Sequence, residues 1–278
     1  LASAESSAIT GQLIVSDFGS TLERDTMKIG IITGASSGIG KEYVFALDKH
    51  YELDEIWVIA RREDRLKELQ ESCKTIIRPI ALDLADENSY DTYKALLEES
   101  TPEIQILING AGFGIFGTFK DVDLKQQLKM IDLNAKALTA ICHISIPYMP
   151  KGSHLINIAS NSSWQPVPYI NVYGSTKAYV LNFSRALGVE LKSSKIHVMA
   201  VCPHWIKTEF FDHAVQDDTI KYYDRFYTAK QVVDKTMKDL KKNKTVSILG
   251  FPVKMQVLAV KFLPKKLIMW IWCKQQGK

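Results

Sequence analysis

The sequence predicts an α/β fold, a doubly wound parallel sheet of about seven strands with helices on both faces. Three observations carry that expectation. Short β-branched runs alternate with longer helical stretches from Met27 onward. Runs such as IGIIT, ILIN and LINIA are apolar throughout, as strands are when helices cover both faces of a sheet. No internal repeat or low-complexity linker interrupts the alternation. Repeated strand-helix-strand units give parallel strands joined by right-handed crossovers.

In chain order, residues 28–33 read as a strand, followed by a glycine-rich turn and a helix over 39–49. A second strand is expected over 55–60, a charged helix over 63–72, and a third strand over 75–82. The pattern continues with a helix over 88–99, a strand over 105–109 and a helix over 124–143. Residues 154–158 form the fifth strand and 173–192 the helix after it; 196–202 and 245–249 complete the sheet. Residues 27–250 therefore form one domain. Residues 1–26, rich in Ser, Thr and acidic groups, lack the basic start and apolar core of a signal peptide and read as an N-terminal extension, of natural or artificial origin. Residues 251–278 form a basic amphipathic tail.

The composition of the 278 residues, 46% hydrophobic and 24% charged, excludes disordered, collagen-like and disulfide-scaffold classes. A net charge of +4 is too small for a dedicated nucleic-acid binder. It is unevenly placed, however: from Thr228 onward twelve Lys face two Asp. Cys73, Cys142, Cys202 and Cys273 are scattered without metal spacing, so they read as reduced thiols of a cytoplasmic protein with no metal site. The longest apolar run of the tail, residues 267–273, is far short of the ~20 residues a membrane span needs.

Between the first strand and the first helix stands Thr33-Gly34-Ala35-Ser36-Ser37-Gly38-Ile39-Gly40. Strand, glycine turn and helix start together suit a pyrophosphate, because glycines admit the backbone to the phosphates and the first N–H groups of the helix donate to them. This makes the sheet Rossmann-like. The end of the second strand faces the adenosine ribose in such a sheet. An acid there would bond the 2′-hydroxyl, but the chain has Arg61-Arg62, and arginine clamps a phosphate. NADP(H) is thus favoured over NAD(H), the plainer alternative being that the arginines open an exposed helix.

Tyr173 and Lys177, four apart, project from one helix face. Tyr90 and Lys94 share that spacing, but only Tyr173 has a serine, Ser160, thirteen residues earlier, just past the fifth strand where ligands of such sheets sit. On these joint motifs the sequence resembles the short-chain dehydrogenase/reductase family, in its compact single-domain branch, over about residues 27–249. The resemblance implies cofactor contacts from the glycine turn (Gly34, Ser36, Ser37, Gly38, Ile39, Gly40), from Asp83 and Leu84, and from Asn109, Ala111 and Gly112 of an Asn-Asn-Ala-Gly-like segment whose second Asn is Gly110. It further implies contacts from Pro203 and Thr208, and a catalytic set of Asn134, Ser160, Tyr173 and Lys177, with Tyr173 and Lys177 also touching the cofactor. A departure is His204, where the family has glycine; it would crowd the nicotinamide, line the substrate site or alter the loop.

The implied chemistry is hydride transfer between a nicotinamide and a carbonyl or alcohol carbon. Tyr173 is expected as general acid, made more acidic by the Lys177 ammonium, with Ser160 bonding the oxygen and Asn134 holding a water for proton return. Aromatics after the fourth, fifth and sixth strands (Phe113, Phe116, Trp164, Trp205, Phe210, Phe211, Tyr222, Tyr223) favour a bulky apolar small-molecule substrate. A homodimer or homotetramer is the family expectation. The tail is expected to cover the cleft, seal a subunit interface or make weak peripheral contact with an anionic membrane, packing on the protein being favoured. Two competing functions are an NADP(H)-binding regulator without turnover, which would not need the proton donor, and an epimerase, whose larger sugar-binding lobe the sequence lacks.

Overall fold

The computed structural model describes residues 26–278, so the extension expected over residues 1–26 lies almost wholly outside the described residues. Seven parallel strands form the sheet: β1 (Lys28–Thr33), β2 (Glu55–Ala60), β3 (Ile76–Ala81), β4 (Glu103–Asn109), β5 (His154–Ile158), β6 (His197–Val201) and, after a two-residue pair β7 (Trp205–Ile206) and β8 (Phe226–Tyr227), the short edge strand β9 (Val246–Ser247). Their order across the sheet is β3-β2-β1-β4-β5-β6-β9. The chain thus winds outward from β1 to β3, returns to β4, and winds outward on the other side. That reversal opens a crevice beyond the carboxyl ends of β1 and β4.

The apolar strands bury both faces because successive side chains point to opposite sides. Ile29, Ile31 and Trp57 face α3 (Asn88–Ser100), α5 (Leu138–Ser145) and α6 (Asn171–Glu190), meeting Tyr93, Leu97, Ile141 and Val180. Ile32, Ile56, Val58 and Ile106 face the other way, against Tyr43 and Leu47 of α1 (Gly38–His50) and Val233 and Met237 of α8 (Ala229–Leu240). The fully buried Trp57, Tyr43 and Tyr93 are the largest side chains of this double core.

Most expected elements shift by a residue or two at their ends, and α6 runs over 171–190 in place of 173–192. α2 runs only over Glu63–Lys67, because its last amides turn to carbonyls three residues back and Gln70 Nε2 donates to the Ile77 carbonyl, drawing the chain into β3. The expected helix over 124–143 is α4 (Leu124–Ile131), a π-helical stretch (Asp132–Ala137) and α5. The wider π turn places Asn134 in the interior. β4 begins two residues earlier than expected, and the last strand keeps only two residues, paired with Ala200 and Val201. The tail forms α9 (Phe251–Phe262) and α10 (Lys265–Gln275), broken at Pro264, whose ring cannot continue the helix.

Candidate active site

The glycine turn is held from below and from the side. Gly34 N donates to the Ile59 carbonyl at 2.8 Å, and the Thr33 hydroxyl accepts from the amides of Gly110 and Ala111, each at 3.1 Å. Gly34 has φ +73°, and a side chain on it would meet Ala111 N at 2.7 Å; one on Gly40 would meet the Gly34 carbonyl oxygen at 2.1 Å. Strand-to-helix contact this close leaves a cradle only backbone can line. Ser37, the residue before α1, makes no side-chain cap, so the first amides of α1 keep their donors for an anion. These features fit the pyrophosphate of a dinucleotide.

Arg62, not Arg61, is the ordered arginine at the adenosine end. Its guanidinium donates to Ser36 Oγ at 3.1 Å, Ser37 Oγ at 3.0 Å and Glu209 Oε2 at 2.9 Å, whereas Arg61 stays exposed. Arg65 takes the other Glu209 oxygen at 2.6 Å. Sequence reading missed Glu209 and Arg65, since nothing local relates a carboxylate to arginines about 145 positions away. Asp83 and Leu84 line the same cleft, with Asp83 Oδ2 accepting from Lys129 at 3.2 Å.

Ser160, Tyr173 and Lys177 meet at the other end of this cleft, together with Ala111, Gly112, Pro203 and Thr208. Tyr173 and Lys177 stand near the start of α6, one turn apart, and Ser160 follows β5. Ser160 Oγ accepts from Ser162 N at 3.2 Å, which leaves its hydroxyl proton to donate elsewhere. Lys177 Nζ donates to the Ile158 carbonyl at 2.7 Å and lies 5.8 Å from the centre of the Tyr173 ring.

Burial acts on both members of the Tyr173/Lys177 pair. Burial pushes the Tyr173 phenol up to about 12, with hydrogen bonding by Ser160 partly opposing it. Burial also lowers the Lys177 ammonium to about 8. One donor of Lys177 is taken by the Ile158 carbonyl, and desolvation is the larger effect on both groups.

Asn109, an expected cofactor contact, and Asn134, an expected catalytic residue, do not line the cleft. Asn109 is buried, its amide donating to Asn157 Oδ1 at 2.9 Å and Cys142 Sγ at 3.2 Å, so its side chain ties β4 to β5 rather than lining the cleft. Asn134 accepts from Phe113 N at 3.0 Å and donates to the Phe113 carbonyl at 2.8 Å and to Thr176 Oγ1 at 3.1 Å. Its side chain is therefore a brace for the loop after β4, with both amide protons taken and one Oδ1 lone pair left to accept. A further residue missed in the sequence is Gly114: a Cβ there would lie 3.0 Å from Tyr173 Cδ2 and 2.7 Å from Phe210 Cζ, so its bareness lets the two rings approach.

His204 resolves into a clamp. Its Nε2 bonds Asp224 Oδ1 at 2.6 Å and its Nδ1 bonds Asn161 Nδ2 at 3.1 Å. Since the amide of Asn161 donates, Nδ1 is the acceptor and Nε2 carries the proton toward Asp224. The clamp joins the loops after β5, β6 and β7 beside the site. Beyond it the aromatics interlock: the Phe116, Trp205, Phe211 and Tyr223 rings meet edge to face at 5.1–6.4 Å, and Phe210 lies 5.5 Å from Tyr173. Several of these rings therefore pack the loops onto the body. The remaining wall is supplied by the tail, with Val253, Val260, Ile268 and Trp272 lining a cleft of about 880 Å³. Trp272 Nε1 donates to the Pro168 carbonyl at 3.0 Å, and Gln276 Oε1 accepts from the amides of Lys221 and Tyr222.

Residues 28–219 match the family model for short chain dehydrogenase. The chain belongs to that family. Among curated relatives it is 34% identical, over 189 residues, to the very-long-chain 3-oxoacyl-CoA reductase of Homo sapiens, covering 64% of this chain and 59% of that protein. Among solved structures, a short-chain dehydrogenase from Sphingobium yanoikuyae in complex with NADPH superposes with a TM-score of 0.72 at 27% identity, covering 84% of this chain and 92% of that one. The bulky-bulky ketone specific alcohol dehydrogenase from Comamonas testosteroni superposes with a TM-score of 0.65 at 26% identity, over 79% of this chain and 85% of that one. The family places the protein among nicotinamide-dependent oxidoreductases of alcohols and ketones. The glycine turn and the Tyr173/Lys177 pair lie within the matched residues and line one cleft.

Proposed function

We propose that the protein is an NADP(H)-dependent carbonyl reductase or alcohol dehydrogenase for a bulky apolar substrate. The observation that carries this is the convergence of Ser160, Tyr173 and Lys177 on the cleft whose other end holds the bare glycine turn and Arg62. The residues that would hold the cofactor are the Gly34–Gly40 turn at the pyrophosphate, Arg62, Arg61, Ser36 and Ser37 at a 2′-phosphate, Asp83 and Leu84 at the adenine, and Ala111, Gly112, Pro203, Thr208 and Lys177 toward the nicotinamide. When bound, the reduced cofactor supplies hydride to the carbonyl carbon.

The chain's own groups then handle the charge on oxygen. Tyr173, kept as a neutral phenol by burial, donates its proton to the carbonyl oxygen, and Ser160 donates a hydrogen bond to that same oxygen. Lys177, charged at neutral pH although burial lowers it, supplies positive potential beside the oxygen and would bond a ribose hydroxyl of the bound cofactor. Asn134 acts indirectly as a positioning residue, fixing the Phe113 backbone and Thr176 of α6.

Support for the finer points comes from several sides. Arg62, hydrogen-bonded to Ser36 and Ser37 and paired with Glu209, presents a guanidinium at the adenosine end, and the Sphingobium relative holds NADPH. A largely apolar wall from Phe113, Phe210, Val253, Val260 and Trp272 suits a bulky ketone, the substrate class of the Comamonas relative. Leu124, Leu128 and Ile131 leave an apolar stripe exposed on α4, as a homodimer or homotetramer would require. Four cysteines free of disulfides fit a cytoplasmic location.

The test is a panel of ketones and alcohols of increasing size, run with NADPH and with NADH. Bulky apolar ketones should be reduced, with kcat/KM higher for NADPH by about tenfold or more. Tight NADPH binding with no turnover of any carbonyl would replace the enzyme by a regulator.

A further inference from the structure

The helix α9 is apolar on two opposite faces. Val253, Val257 and Val260 are buried against the body, and Val253 and Val260 line the cleft. Phe251, Met255, Leu258 and Phe262, spaced four, three and four residues apart, form a second stripe on the far side. That stripe faces solvent: Phe251 is 74% and Phe262 80% exposed. Leu267, Trp270 and Ile271 continue it on α10, Trp270 being 59% exposed. An amphipathic helix needs one apolar face to fold onto a domain; the second is surplus to the fold.

The electrostatics select what covers it. Residues 251–278 contain six lysines and no Asp or Glu. Lys254, exposed, adjoins Met255 of the outer stripe, and Lys274 lies 5.4 Å from the centre of the Trp270 ring, whereas Lys261 turns its ammonium to the Trp164 ring of the body, 5.0 Å away. A two-fold contact with a second copy would set a cationic segment that has no carboxylate side chains against itself. An anionic lipid surface offers complementary charge for the lysines, acyl chains for Phe, Leu and Met, and the headgroup layer for Trp. No helix among the described residues is long and apolar enough to cross a membrane, so the pair would lie in the interface plane. Leu263 and Ile271 belong to both surfaces: each lines the cleft and each is 38% exposed. They mark where the cleft opens beside the outer stripe.

We propose that α9 and α10 seat the protein on an anionic lipid bilayer through their outer faces, so that an apolar carbonyl compound dissolved in the bilayer enters the cleft past Leu263 and Ile271. The delivery step rests on the carbonyl-reductase reading; the seating on lipid does not.

The experiment uses the full chain with phosphatidylcholine vesicles, with and without phosphatidylglycerol, and the double variant Phe262→Asp/Trp270→Asp, whose sites do not line the cleft. The unaltered protein should sediment with the phosphatidylglycerol vesicles, less so at high salt. The variant should lose about a hundredfold in partition coefficient, with its circular dichroism and NADPH affinity unchanged. The unaltered protein should also reduce a vesicle-dissolved apolar ketone faster than the variant, at equal rates for a water-soluble one. The seating is overturned if the unaltered protein stays in the supernatant or if both forms partition alike. It is equally overturned if the substitutions instead turn a lipid-indifferent dimer into a monomer, which would make the stripe a subunit contact. Equal rates on the vesicle-dissolved ketone despite lost partitioning would overturn delivery alone. Absence of any ketone turnover beside intact sedimentation would condemn the catalytic reading and leave the seating standing.

Discussion

The two ends of the cleft are built by different means. At the cofactor end the shape is backbone: Gly34 and Gly40 lie against neighbouring main chain, and Thr33 ties the turn to Gly110 and Ala111 within hydrogen-bond reach. At the substrate end the shape is side chains from distant segments, the aromatics after β4 and β6 and the inner faces of α9 and α10. The contrast teaches that a phosphate cradle is a local property of a strand, a turn and a helix. A substrate wall is a property of the assembled domain. Tyr173, with Phe210 5.5 Å away and Lys177 one turn on, sits on the seam between them.

The sharpest way to separate the two ends is to cut at the seam. Tyr173→Phe should lower turnover by about 10²–10⁴ while NADPH affinity stays unchanged, read by cofactor fluorescence and ketone reduction. Near-normal turnover would remove the phenol from the chemistry. Gly40→Ala strikes the cofactor end alone: its new methyl would stand 2.1 Å from the Gly34 carbonyl, so a destabilisation of about 3 kcal/mol is expected in urea unfolding. An unshifted midpoint would show that the turn yields.

Arg62 tests whether the ends are coupled, because Glu209 belongs to the chain leading into α7 (Phe210–Ala214) and reaches back to the cofactor end. Arg62→Ala should weaken NADPH binding about ten- to a hundredfold and leave NADH binding nearly as it was; an equal loss for both would assign Arg62 to loop packing. The pH profile gives a finer cut. Burial lowers Lys177 from its ordinary value to about 8, so its charge is present below that pH and lost above it. The reduction rate should therefore fall as pH rises through about 8, while Tyr173, raised to about 12, remains protonated throughout. A flat profile between pH 7 and 9 would detach the ammonium from catalysis. Smallest is Trp272→Phe, which removes one hydrogen bond to Pro168 at the substrate end. KM for a bulky ketone should rise by about three- to tenfold with NADPH affinity unaltered.

The legibility of the molecule follows the same division. β2 and β5 agree with the sequence expectation to the residue, since an apolar β-branched run bounded by turns leaves little choice of extent. The glycine turn was visible for the same reason. The π turn in the expected helix over 124–143 was not, because an extra residue in a helical turn has no composition signal. It depends on Asn134 bonding to Phe113, 21 positions earlier. Nor could sequence show that Arg62, rather than Arg61, reaches Ser36, Ser37 and Glu209, partners distant along the chain.

By itself the amino-acid order determined the layered parallel sheet, the place of the phosphate turn and the one-turn spacing of Tyr173 and Lys177, because apolar periodicity and glycine freedom act over a few neighbouring residues. Tertiary structure alone decided the protonation balance of that pair, the His204 clamp on Asp224 and Asn161, and which of the two apolar faces of α9 is buried. Those depend on desolvation and on partners that only folding brings together, and neither is encoded in any short stretch of chain.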